Sequence, residues 1–98
     1  MSDRRPLVYI LAGWRNGTLY VGVTSDLVRR IIEHRSGAIS SFVQDYGVYR
    51  LVFAEFLATM ADAIEREKRI KKWRRAWKLE LIERDNPRWR DLLDDPAA

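Results

Sequence analysis

Five side chains in this sequence have types and spacings suited to chemistry. Tyr9 and Tyr20 are two phenols on what reads as one β-hairpin, Arg30 and His34 follow four residues apart, and Glu67 is a lone carboxylate on an apolar helix stripe. A phenol or an imidazole can hold or accept a proton, a guanidinium can steady developing negative charge, and a single carboxylate can hold a divalent cation.

The hairpin follows from Asn16-Gly17 between the β-rich runs 7–13 and 18–23, a strong short-range turn signal. With those two residues as the turn, 15 pairs with 18, 12 with 21 and 9 with 24, and paired residues share a face. Tyr9, Leu11 and Gly13 then lie with Tyr20, Gly22 and Thr24, while Val8, Ile10, Ala12, Leu19, Val21 and Val23 form an apolar face. Gly22 serves either bulge geometry or the close approach of a phosphate backbone.

A helix is expected over 25–36, with Leu27, Val28, Ile31 and Ile32 as its apolar stripe. At about 100° per residue Arg30 and His34 flank that stripe as i,i+4 neighbours, while Arg29 and Glu33 point outward. Gly37 is the expected stop, followed by a loop over 37–48 and a strand over 49–57. Helices are predicted over 60–73 and 75–85, the first opened by Thr59 with Asp62 and the last ended by Pro87. Glu67 falls inside the apolar stripe of its helix. It needs a cation or hydrogen-bond donors there: either a structural ion pair, for example with an arginine of the first helix, or a metal. The order ββαβαα gives an α+β fold: a small, mainly antiparallel sheet flanked by helices. Tyr9, Tyr20, Arg30, His34 and Glu67 are expected to line one concave surface, with Glu67 on the Tyr9 side of the sheet.

The motifs resemble the GIY-YIG nuclease superfamily over nearly the whole chain. Val8-Tyr9-Ile10 and Tyr20-Val21-Gly22 stand for its two tyrosine motifs, 26–34 for its arginine and histidine helix, and 63–73 for its glutamate helix. Asn86-Pro87, Trp89, Asp91 and Leu92 resemble the tail of its small single-domain bacterial branch, related to the N-terminal nuclease domain of the excinuclease incision subunit. The resemblance implies a three-stranded sheet and a DNA endonuclease with a role in DNA repair. In it Glu67 holds Mg²⁺ or Mn²⁺, Arg30 steadies the phosphoryl group, and Tyr9 or Tyr20, with His34 assisting, activates a water. The residues do not decide between the two tyrosines. Asn86 either matches a family asparagine near the site or is a turn residue before Pro87. The alternative is a nuclease fold that binds nucleic acid without cutting it.

Composition sets the bounds. Ninety-eight residues allow one domain, 1–98, with an acidic tail from about Asp91, and a modest core. The absence of cysteine excludes disulfides and thiolate metal sites, and a single histidine excludes a multi-histidine zinc site. No apolar run is long enough to span a membrane and no signal-peptide core is visible, so a cytoplasmic location is expected. The net charge is +4, with a pI of about 9.8, which permits nucleic acid as a partner. Residues 65–78 carry eight Lys or Arg against two Glu. With Trp73 and Trp77 buried, Lys71, Lys72, Arg74, Arg75 and Lys78 form either a solvated face or a phosphate-contacting stripe. DNA and RNA are not distinguished. Larger family members carry separate DNA-binding regions and none is visible here. Weak, unselective binding or reliance on a partner protein therefore follows, and a homodimer is neither required nor refused.

Overall fold

The computed structural model describes residues 5–14, 17–36 and 50–93. Their elements run β1 (Leu7–Ala12), β2 (Leu19–Thr24), α1 (Leu27–Arg35), β3 (Arg50–Phe56), α2 (Met60–Lys72) and α3 (Arg75–Asp85). The strands form one antiparallel sheet in the order β2-β1-β3. Gly37, the predicted loop 37–48 and the end of the acidic tail lie outside the described residues.

The hairpin register differs from the expected one. Tyr9 pairs with Gly22 and Ala12 with Leu19, because Gly17 N–H bonds the Trp14 carbonyl at 2.9 Å and closes the turn one residue earlier. Moving the turn by one residue moves the pairing by two, so the faces keep their parity. Val8, Ile10, Ala12 and Val21 pack with Ala63 and Ile70 of α2 and with Leu81 and Ile82 of α3. On the other face Leu7, Tyr9 and Leu11 pack with Ile31 of α1 and Leu51. The tyrosine face is therefore a second core rather than an open surface. The central strand β1 is buried on both faces throughout.

α1 is rotated from the expected orientation. Ile31 and His34 are its buried residues, whereas Val28 and Ile32 are exposed. The capping expectation for α2 holds, Thr59 Oγ1 accepting from Asp62 N–H at 3.1 Å; Asp26, not singled out in the sequence, caps α1 by accepting from Arg29 N–H.

A C-terminal clasp locks β3. Asn86, the C-cap of α3, donates through Nδ2 to the Val52 carbonyl at 3.1 Å and to the Arg90 carbonyl at 2.9 Å. Its Oδ1 accepts from Arg90 N–H at 3.0 Å. The turn holds Trp89 at φ 56° with its ring buried and its Nε1–H donating to Glu83 at 2.8 Å. Arg35 reaches from the end of α1 to Asp91 at 2.7 Å. Each buried amide group left unpaired costs about 1–3 kcal/mol. Asn86→Ala should therefore lower stability by about 2–4 kcal/mol in denaturant titration; a loss under about 1 kcal/mol would show that the clasp does not hold β3.

Candidate active site

β1 and α1 bring Tyr9 and His34 together. The Tyr9 phenol oxygen lies 2.8 Å from His34 Nε2 in a buried hydrogen bond. Tyr9 retains 1% of its exposure and His34 none. Tyr20 completes the group from β2, its ring centroid 4.9 Å from that of His34 in an edge-on arrangement and 6.4 Å from that of Tyr9. Gly22 makes the packing possible: directly opposite Tyr9 in the ladder, it has no side chain, and a Cβ there would overlap the Tyr9 phenol oxygen. Its role is therefore close approach of a side chain.

Burial governs the electrostatics. Desolvation and the neighbouring Tyr20 push the Tyr9 phenol well above its ordinary pKa near 10, and the charges of Glu67 and Glu33 add to this; Arg30 pulls the other way and is outweighed. Burial thus outweighs the nearby arginine and leaves Tyr9 harder to ionise. His34 is pushed below its ordinary value by desolvation and then by Arg30, with Glu33 opposing. The imidazole is therefore neutral at pH 7. A phenol that donates to Nε2 requires the ring proton on Nδ1, and Nδ1 has no hydrogen-bond partner among the described residues.

Glu67 arrives from the other side. α2 packs its Ala63 and Ile70 on the Val8–Ile10 face, not on the face that carries Tyr9, which corrects the single-surface expectation. The charge of Glu67 nevertheless acts on Tyr9. The helix also packs against β2, an edge strand. An open groove of about 400 Å³ crosses that edge, lined by Leu19, Tyr20, Val21, Lys71 and Lys78. Of the five, Tyr9, Tyr20 and His34 are in mutual contact, and Arg30 and Glu67 act on Tyr9 through their charges; only Tyr20 lines the groove. The Glu67 side chain keeps only 15% of its exposure and pairs with Lys71 at 3.4 Å, so its cation comes from its own helix and not from α1. Arg30, half-buried on α1, lies 4.0 Å from Glu33. Glu33 had been expected only to point outward; its i+3 spacing from Arg30 was the available signal.

The remaining predicted residues separate. Lys71 and Lys78 line the groove. Lys72, Arg74 and Arg75 are exposed, and Arg75 donates to the Gly17 carbonyl at 2.6 Å, tying α3 to the hairpin tip. Trp73 is partly buried and packed against the core, but Trp77 is 47% exposed with the Arg74 guanidinium 5.3 Å from its ring, contrary to the expectation of two buried tryptophans. Asn86 belongs to the clasp at β3, the opposite edge of the sheet.

Among the described residues no three His, Cys, Asp or Glu side chains gather as a metal-ligating group. A single, mostly buried carboxylate balanced by one lysine does not suit zinc. It suits Mg²⁺, which keeps several waters and takes one or two protein carboxylates together with substrate phosphate.

Residues 5–80 match the family model described as the GIY-YIG catalytic domain. The chain belongs to the GIY-YIG family. It is 35% identical over 68 residues to a UPF0213 protein of Staphylococcus saprophyticus, covering 69% of this chain and 83% of the relative. It is 39% identical over 75 residues to one of Clostridium perfringens, covering 76% and 80%. The solution NMR structure of a UPF0213 protein from Bacillus halodurans superposes with a TM-score of 0.56 at 28% identity, over 90% of this chain and 93% of that one. The GIY-YIG assignment carries a nuclease fold with it. No helix among the described residues is long and apolar enough to cross a membrane.

Two outcomes follow. Gly22→Ala should force the Tyr9 ring off His34 and cost about 1–3 kcal/mol, the usual scale of overpacking; a variant as stable as wild type would mean that the ring has room to move. The second outcome concerns pH. The unfolded imidazole titrates near pH 6.5 and the folded one lower, so in that window the unfolded chain binds more protons. Stability should be fully present above about pH 6.5 and fall as pH drops below it. His34→Gln should flatten that part of the slope between pH 7 and 5, as measured by denaturant titration.

Proposed function

We propose that this protein is a divalent-metal-dependent endonuclease that hydrolyses DNA phosphodiester bonds by attack of water. The observation that carries the reading is the buried Tyr9–His34 hydrogen bond, set beside Arg30 and within the field of Glu67.

Tyr20 is the phenol facing the groove and positions the water. A Tyr9 phenolate is too costly to serve as base, so the pair works as a relay. Tyr9 Oη accepts the water proton as it passes its own to His34 Nε2. The neutral imidazole is ready to receive it at pH 7 and becomes the cation. Arg30 stabilises charge on the non-bridging phosphate oxygens. Glu67 holds Mg²⁺ or Mn²⁺, which when bound supplies Lewis-acid polarisation of the phosphate and the leaving oxygen. Lys71 and Lys78 hold the substrate backbone along the β2 edge.

One observation favours a second reading, a module that binds nucleic acid without cutting it: Tyr9 and His34 are almost wholly withdrawn from solvent. Cleavage of duplex, single-stranded, flap and junction DNA, with and without Mg²⁺ or Mn²⁺, separates the two. Wild type should cut at least one substrate with metal and none without it. Glu67→Ala should abolish cleavage while leaving affinity similar or slightly higher, because the carboxylate repels phosphate when no ion is bound. Arg30→Ala should slow cleavage by roughly 10²–10³-fold. Tight binding with no cleavage of any substrate would replace the enzyme by the binding module.

A further inference from the structure

Lys71 is placed to do more than contact phosphate. The Glu67 carboxylate, largely withdrawn from water, needs a counter-charge, and Lys71 supplies one at 3.4 Å from the next turn of α2. An i,i+4 pair on an open helix face is weak because water screens it. Here the acid is shielded while the lysine is not: Lys71 keeps 53% of its side-chain exposure and stands in the groove over the β2 edge with Tyr20 and Lys78. Its flexible stem thus reaches both the Glu67 carboxylate and the groove.

We propose that Lys71 is a placeholder cation, holding the Glu67 carboxylate aimed until a divalent ion displaces its ammonium group into the groove, where it meets the substrate phosphate. A cation at Glu67 repels the ammonium and a phosphate in the groove attracts it, so the two displacements favour each other. By linkage, metal and nucleic acid then strengthen each other's binding by the same factor. The same exchange explains why a carboxylate intended for metal can be kept buried in the metal-free protein without a structural arginine. The proposal rests on Glu67 as the metal ligand.

The test is Mn²⁺ binding to the full chain without nucleic acid, followed by electron paramagnetic resonance. Lys71→Met removes the competing charge and should tighten Mn²⁺ by about 3–10-fold, on the scale of one partly screened unit charge at this distance. Lys71→Arg keeps a cation and should bind Mn²⁺ like wild type. Glu67→Gln should lose the site. Unchanged or weaker Mn²⁺ binding in Lys71→Met, with loss in Glu67→Gln, overturns the placeholder role alone. Mn²⁺ binding that is absent in wild type, or undiminished in Glu67→Gln, overturns the metal assignment of Glu67 and the placeholder with it.

Discussion

A single buried hydrogen bond between Tyr9 and His34 joins the central strand to α1, and the arrangement of the site depends on it. Both partners are large polar groups inside an otherwise apolar cluster of Leu7, Leu11, Ile31 and Leu51. Neither could be buried there alone without a desolvation penalty of about 1–3 kcal/mol. Their pairing therefore sets the rotation of α1, turning His34 inward and leaving Val28 and Ile32 in solvent. The same rotation leaves Arg30 half-buried beside the pair, where its charge acts on both residues. Gly22, across the ladder, leaves the room that the phenol occupies.

The chemistry of the pair follows from that burial. Taking a phenol out of water opposes its ionisation, and taking an imidazole out of water opposes its protonation. The two effects push the pKa values apart and hold both groups neutral at pH 7. A proton moved along the bond alone would leave a phenolate and an imidazolium together, so in the proposed relay Tyr9 takes up the water proton as it gives up its own. Tyr20, half-buried and open to the groove, differs in environment though not in residue type, so one phenol faces the groove and the other is tied to the histidine.

Much of this was legible in the sequence, for identifiable reasons. Alternation along 7–13 and 18–23 separates the tyrosines from the valines whatever the register, provided the shift is even. An error of two residues in pairing thus left the faces intact. The rotation of α1 was not legible, because hydrophobicity alone places Val28 and Ile32 inside and cannot anticipate that a histidine with a phenol partner outranks them. Nor could helical periodicity show that α2 packs on the face opposite Tyr9, since it locates a residue on its own helix and not the helix on the sheet. The clasp around Asn86 depends on Val52 and Arg90, and its longer link spans a separation that no local pattern encodes.

The most direct test of the central claim uses the fact that His34 is the only histidine in the chain. The ¹⁵N chemical shifts of its ring nitrogens report tautomer and protonation without assignment ambiguity. The account predicts a neutral ring at pH 7 with the proton on Nδ1, titrating below the ordinary value near 6.5, and a change of tautomer population in Tyr9→Phe. A ring that titrates at about 6.5 like a free imidazole, with shifts indifferent to Tyr9→Phe, would contradict it.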